Sequence, residues 1–200
     1  MKPLGRRTWI VVTIAAVVVV LLGGAGGLTG WLLTAKHSAE QVVVRWRPHC
    51  TGTTLSRYRG HLAVRSVPGW RCRLTMKVRN RSGYDIHVTG VKGPFMGTGG
   101  GAEVQGFSTQ NAPIRDDPDS MGIDAIWDVD LTVPGHASRT IDLLVGWRNT
   151  GCNDAGHEWF DHWPTIVFTI LHRDHQVSAS ERLTLATVTD HHDTTGACAG

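Results

Sequence analysis

The stretch RCRLTMKVRNR, residues 71–81, has a charged or hydroxyl side chain at every odd position and mostly apolar side chains at the even positions. Successive side chains of a β-strand point to opposite faces, so this alternation predicts a strand with one buried face and one basic face. NRSG, residues 80–83, has turn chemistry and predicts a hairpin. On the return strand we expect Tyr84, Ile86 and Val88 to face inward.

Other segments show the same period or a short apolar run. An acidic strand is predicted over residues 124–133, with Asp124, Asp128 and Asp130 on its outer side. Further strands are predicted at residues 41–46, 62–67, 139–148, 165–171 and 182–188. Seven or eight short strands separated by turns predict an all-β fold, a single antiparallel β-sandwich over residues 41–190. Residues 191–200 are predicted to form a polar tail.

Two passages resemble bacterial extracytoplasmic immunoglobulin-like domains. LTMKVRNRSG, residues 74–83, is similar to the second-strand hairpin of such domains, and DVDLTVPG, residues 128–135, is similar to a strand with a proline-glycine turn. The resemblance implies an immunoglobulin-like sandwich that serves as a binding module, with no particular ligand. One departure is that residues 165–171 contain no cysteine, so the inter-sheet disulfide of antibody domains is missing there.

The N-terminal part of the chain predicts a membrane anchor. No charged side chain occurs between Arg7 and Lys36. At a rise of ~1.5 Å per residue, Trp9 and Trp31 are roughly 33 Å apart, close to the thickness of a bilayer core, and tryptophans favour its interfaces. Three basic residues precede the segment and favour a cytoplasmic N-terminus. We therefore predict a cytoplasmic tail at 1–8, a single transmembrane helix (signal anchor) at 9–33, a linker at 34–40 and an extracytoplasmic domain.

A cleaved signal peptide is the alternative for this segment. Only residues 10–22 are strongly apolar, and the small residues GGA at 23–25 suit a cleavage site. The protein would then be secreted. Both alternatives place the folded domain outside the cytoplasm.

The charges of the domain are balanced in number and uneven in position. The whole chain has a formal net charge of +3, but the residues after 33 contain 17 Lys and Arg against 17 Asp and Glu. A neutral extracytoplasmic domain has no electrostatic basis for binding nucleic acid. Residues 41–84 contain ten basic and no acidic residues, whereas residues 85–200 contain sixteen acidic and six basic residues.

This asymmetry has two interpretations. We expect the basic strand 71–81 to pair with the acidic strand 124–130 in one sheet, so that the two neutralise each other. In the alternative, Arg73, Lys77 and Arg79 form a cationic surface for a cell-surface polymer, a lipid headgroup or a protein partner.

Four cysteines follow the apolar segment: Cys50, Cys72, Cys152 and Cys198. An even number of cysteines in an oxidising compartment predicts two disulfides. Of the three pairings we favour Cys50 with Cys72 and Cys152 with Cys198, because each closes a moderate loop. The absence of a Cys-x-x-Cys pair argues against a redox site and a zinc ribbon.

A predicted loop before residue 165 combines metal-ligand types with aromatic side chains. The candidate zinc or copper ligands are Asp154, His157, Asp161 and His162. Their spacing matches no dedicated metal motif. The aromatic side chains are either an exposed contact for a partner or a lid that covers the core; they are Trp159, Phe160 and Trp163.

No catalytic motif supports an enzyme. Neither Gly-x-Ser-x-Gly nor His-Glu-x-x-His occurs, and the glycine-rich run at 97–101 lacks the Gly-Lys-Ser or Gly-Lys-Thr of a phosphate loop. That run belongs to a predicted loop over residues 92–122. We expect no cofactor and no catalytic activity. The sequence predicts a membrane-tethered extracytoplasmic binding or interaction module; an exported metal-binding or hydrolytic protein is the alternative.

Overall fold

The computed structural model consists mainly of β-strands and describes residues 27–150, 156–160, 163–181 and 183–187, with the backbone alone at 156–160 and 187. One helix, α1, covers residues 27–39. The strands that follow are β1 (Val42–Thr51), β2 (Leu55–Tyr58), β3 (His61–Ser66), β4 (Arg71–Asn80), β5 (Ile86–Gly93), β6 (Val104–Phe107), β7 (Ile114–Asp116), β8 (Ala125–Val133), β9 (Ser138–Trp147), β10 (Gly156–Phe160), β11 (Thr165–Ile170), β12 (Arg173–Ser178) and β13 (Leu183–Thr187).

These strands form three sheets. One has the order β1-β4-β9-β6, the second β12-β11-β5-β8-β7, and a smaller one β10-β13-β3-β2. The expectation of a single antiparallel arrangement of seven or eight strands is wrong in two respects. Thirteen strands are described, and β13 pairs with β3 in parallel. The unforeseen strands β2, β6, β7, β10 and β12 have three to six residues.

The core lies where the apolar faces of the two larger sheets meet. Cys72, Leu74, Met76 and Val78 of β4 are buried, and the odd residues between them are exposed, so the predicted alternation is confirmed. The same apolar cluster includes side chains of the five-stranded sheet, among them Ile86, Val88, Trp127, Ile166 and Phe168. Tyr84 was expected to face inward but is exposed.

After β4 the chain crosses from one large sheet to the other, and a buried asparagine lies at this crossover. The sequence predicted a hairpin here. β4 pairs with β1 and β9, whereas β5 pairs with β11 and β8. The Asn80 side chain is fully buried. Its Nδ2 donates to the carbonyl oxygens of Tyr84, Val133 and Pro134 at 2.7, 3.1 and 3.2 Å, and its Oδ1 accepts from Ser82. The amide thereby links the end of β4 to the residues before β5 and to the end of β8.

Removing this amide should destabilise the fold. Asn80→Ala removes the buried hydrogen bond to the Val133 carbonyl and takes away the acceptor of the Ser82 backbone N–H, so we expect the free energy of unfolding to fall by about 1–3 kcal/mol. Urea denaturation followed by circular dichroism measures the change. Asn111→Ala removes an amide at an exposed position and is the matched control. Equal unfolding midpoints for the two variants would contradict the role of Asn80.

Helix α1 replaces most of the predicted linker. Residues 34–39 continue the helix, and Ala35, Ser38 and Ala39 are buried. Trp31 lies beside the Arg173 guanidinium, 5.8 Å from the ring centre. None of the helices in the described ranges is long and apolar enough to cross a membrane. Residues 9–26 of the predicted anchor lie outside those ranges.

A disulfide joins Cys50 of β1 to Cys72 of β4, as predicted. The two cysteines are directly opposite each other in the antiparallel register. Cys152 and Cys198 lie outside the described residues, so their pairing stays a prediction. Because stable disulfides form in oxidising compartments, the bond indicates an extracytoplasmic location.

Candidate functional site

The outer face of the β1-β4-β9-β6 sheet carries a concentration of positive charge, which we call the cationic face. Its cations are exposed and come from two neighbouring strands: Arg45 and Arg47 on β1, and Arg71, Arg73, Lys77 and Arg79 on β4. His49 adds a further exposed nitrogen base. The cationic face thus contains all three cations that the sequence singled out and three more.

Burial of the opposite side chains determines this arrangement. Val42, Val44 and Trp46 of β1 are buried, so the residues between them point outward. Because β4 alternates in the same way, the antiparallel register sets Arg45 directly opposite Lys77. Like charges directly opposite each other in a sheet repel. The sequence signal for β1 is the alternation of apolar and basic residues over 44–47, which becomes informative once the pairing of β1 with β4 is known.

One carboxylate adjoins these cations on the outward positions of β1, β4 and β9. Asp142 of β9 lies opposite Thr75 and accepts a hydrogen bond of 2.7 Å from its hydroxyl. Within the described part of the chain, none of the six cations forms an ion pair. Arg71 instead lies over the Phe107 ring, 4.5 Å from its centre. The positive charge of the face is therefore largely uncompensated.

The expected pairing of the basic and acidic strands is wrong. β8, the acidic strand, lies in the other large sheet between β5 and β7. Its carboxylates have local partners: Asp128 binds Arg115 at 3.0 Å, and Asp130 lies 3.6 Å from His87. The crossover at Asn80 is the physical reason, because it sends the chain after β4 into the second sheet. Arg73, Lys77 and Arg79 consequently lack the neutralising neighbour that we expected.

A small recess opens between β1 and β4 at the end of the cationic face nearest α1. We call it the β1–β4 recess; its volume is about 80 Å³, and it is lined by Val43, Arg45, Lys77, Arg79 and Arg81. The backbone N–H of Arg81 donates to the carbonyl of Gln41 at 3.2 Å. This contact extends the β1–β4 ladder to within two residues of α1.

A larger open groove of about 750 Å³ borders the cationic face on the β9 side. Arg73 and Asp142 contribute to it from the face, Asp130 contributes from β8, and the turn at residues 108–112 closes one side. The negative charges of Asp130 and Asp142 compensate the positive charge of Arg73 in this groove. The groove therefore offers polar contacts beside the cationic face and no excess of positive charge of its own.

The predicted loop over residues 92–122 contains two short strands and a tightly packed glycine-rich turn. β6 and β7 lie within it, as does a 3₁₀ turn at Pro118–Ser120. The buried guanidinium of Arg148 donates to the carbonyls of Gly97 and Gly100. A Cβ at either glycine would lie only 2.1–2.3 Å from a backbone oxygen. The run needs glycine because the backbones approach so closely, which is a structural role.

Asp116 stabilises the glycine-rich turn by accepting hydrogen bonds from Thr98. The Thr98 hydroxyl and its backbone N–H both donate to the Asp116 carboxylate, and these hydrogen bonds lower the pKa of Asp116 below its ordinary value of 3.8. Burial lowers the pKa of Arg148, and the nearby Asp116 carboxylate opposes that shift.

The Asp116 contact should make the fold sensitive to acid. A carboxyl group whose pKa is lowered by folding contributes stability above its unfolded pKa and loses that contribution as the pH falls through the folded pKa. Asp116→Asn should therefore be less stable than the natural chain at neutral pH, and the difference should shrink below about pH 4. Thermal unfolding across this range measures it. Asp174→Asn, at an exposed strand position, is the control; a difference for Asp116→Asn that does not change with pH would contradict this role.

The aromatic residues proposed as a contact or as a lid are not grouped in one loop. Trp163 is fully buried, and its ring centre lies 6.2 Å from that of Trp46 and 6.5 Å from that of Trp127. It is a core residue and not an exposed contact. Trp159 and Phe160 belong to β10, where they are opposite Thr184 and Leu183. Their side chains lie outside the described atoms, so their role stays a prediction.

The predicted metal ligands are also largely outside the described residues. This holds for Asp154, Asp161 and His162, whereas His157 lies in β10, opposite Ala186. Over the described ranges, no three His, Cys, Asp or Glu residues come together in a way that could hold a metal ion. The metal site stays a prediction.

No protein-family model and no curated protein matches this chain. Among solved structures, an X-ray structure of a Northeast Structural Genomics Consortium target is similar over 78% of this chain and 97% of its own, with 9% identity and a TM-score of 0.37. Two structures of a GH20 exo-β-N-acetylglucosaminidase from Vibrio harveyi are 8% identical, with TM-scores of 0.33 and 0.31. They also cover 78% of this chain, which spans only 19% of their length. TM-scores this low support no conclusion about function.

Proposed function

We propose that this chain is a membrane-tethered extracytoplasmic binding module whose cationic face binds an anionic polymer of the cell surface. The observation that carries the proposal is the set of six exposed cations on β1 and β4 beside a single carboxylate. A surface of unpaired like charges has an unfavourable self-energy, which a bound polyanion relieves.

The spacing of the charges suits a linear ligand. Outward residues of one strand are about 6.8 Å apart, and neighbouring strands are about 4.8 Å apart. From Arg71 to Arg79 the face therefore extends about 27 Å. A chain molecule with regularly repeated negative groups, lying along β4, meets a cation at every outward position except Thr75. Because each exposed ion pair contributes only ~0.2–1 kcal/mol, affinity has to come from several simultaneous contacts.

The proposal also includes a membrane anchor and an immunoglobulin-like fold. The apolar anchor proposed at residues 9–33 would include the first part of α1, residues 27–33, and only two residues separate α1 from β1. The cationic face would thus be held close to the membrane surface. We also propose that the two larger sheets form an immunoglobulin-like sandwich, a fold suited to display. The apolar cluster shared by both sheets and the sheet-to-sheet crossover at Asn80 support this.

Nucleic acid and catalysis are not part of this function. The disulfide indicates a compartment outside the cytoplasm, away from the nucleic acids of the cell. We assign the chain neither a cofactor nor a reaction. The metal-handling or hydrolytic alternative depends on Asp154, Asp161 and His162, which lie outside the described ranges, and on the side chain of His157, of which only the backbone is described.

Adsorption to polyanions tests the proposal. The purified full-length chain in uncharged detergent should bind immobilised polyphosphate and poly-glutamate, and the binding should weaken steeply when salt is raised from about 50 to 300 mM. Lys77→Glu should weaken the adsorption about three- to tenfold, because a favourable contact becomes a repulsive one.

Arg65→Glu is the matched control, since it reverses one exposed charge on β3 of the small sheet. It should leave adsorption within a factor of about two of the natural chain. Equal losses for Lys77→Glu and Arg65→Glu would show that the whole protein surface attracts the polymer. Adsorption that does not depend on salt would also contradict the proposal.

A further inference from the structure

We infer that the β1–β4 recess is a subsite for one phosphate group. This inference rests on the proposed function and names the chemistry of the ligand. The recess combines three guanidinium groups and one ammonium group around a volume of about 80 Å³: those of Arg45, Lys77, Arg79 and Arg81. This volume is more than one water molecule needs, and it suits a single small oxyanion.

The strand register brings these four side chains together. Lys77, Arg79 and Arg81 follow one another at alternate positions and project on the same side of β4 and its extension. Arg45 is opposite Lys77, and the half-buried Val43 is opposite Arg79 and forms the floor. No carboxylate lines the recess. In the described residues, none of its four cations takes part in an ion pair.

Charge and geometry both favour phosphate over carboxylate. Sheets ordinarily place opposite charges across from each other, and the Arg45–Lys77 pair is the reverse of that arrangement. A guanidinium group presents a planar fork that binds two oxygens at once, whereas an ammonium group acts as a point charge. A carboxylate has two oxygens in one plane and satisfies one fork. The tetrahedral oxygens of a phosphate can accept from several of these groups at the same time.

The position of the recess leaves two sources for the phosphate. The recess lies at the end of the face next to α1, where the proposed membrane anchor would hold it near lipid headgroups. The remaining cations, Arg47, Arg71 and Arg73, continue the face away from that end, as a phosphodiester polymer would require. Lipid and polymer present the same chemical group to the recess.

The test compares anions of matched ionic strength on the purified full-length chain in uncharged detergent. Inorganic phosphate should raise the melting temperature in a saturable way, and acetate should not. Phosphate stabilises many proteins by being excluded from their surface. The informative quantity is therefore the difference between the natural chain and Arg79→Gln, which should lose the saturable part. Arg65→Gln, which removes an exposed charge from the small sheet, should keep it.

Nanodiscs separate the two sources. In discs of pure phosphatidylcholine, whose headgroup phosphate is neutralised by its own choline cation, soluble polyphosphate should bind the natural chain more tightly than Arg79→Gln. If headgroups fill the recess, replacing half of the lipid by phosphatidylglycerol should remove that difference, which supports the phosphate subsite and assigns it to lipid. If the difference persists, the subsite belongs to the polymer.

Different experimental results would contradict the phosphate subsite and the proposed function. An equal response of the natural chain and Arg79→Gln to phosphate, or an equal response to acetate and phosphate, would overturn the subsite. If Lys77→Glu still weakened polyanion adsorption more than Arg65→Glu, the cationic face would remain the binding surface. If polyphosphate and poly-glutamate both failed to bind, the subsite and the proposed function would fall together.

Discussion

The pairing register of β1 with β4 is the constraint on which the rest of the structure depends. The two strands pair antiparallel from Val42 opposite Asn80 to Thr51 opposite Arg71. A slip of one residue would turn every side chain to the other face of the sheet. The Cys50–Cys72 disulfide holds the register at one end, and the buried Asn80 amide fixes the other end of β4. Both the apolar core and the cationic face follow from this pairing.

The direction of each side chain on β4 could be predicted from the sequence, but its strand partners could not. Alternation is local and survives folding, so the buried Leu74 and Met76 and the exposed Arg73 and Lys77 are as predicted. Partner choice depends on where the chain goes after the strand. The residues at 80–83 are compatible with a hairpin and with a crossover between sheets. Which of the two forms depends on the hydrogen bonds from Asn80 to three carbonyls, which come together only in the folded chain.

The same limit explains what sequence reasoning missed at the site. The charge asymmetry between the two halves of the domain was visible, yet its meaning depended on whether the basic and acidic strands are neighbours. Arg45 and Arg47 become part of the face only through the register with β4. Trp163 had two interpretations because an aromatic residue in a loop suits either a partner or the core. Its contacts with Trp46 and Trp127 place it in the core.

The stability of Lys77→Gln as a function of salt tests most directly whether the cationic face is uncompensated. Removing one of two like charges that face each other across strands should raise the free energy of unfolding by about 0.2–1 kcal/mol at low ionic strength. The gain should shrink as salt screens the repulsion. If Lys77→Gln were instead less stable than the natural chain at low salt, and the loss shrank with salt, Lys77 would belong to an ion pair and the face would not be free to bind a polyanion.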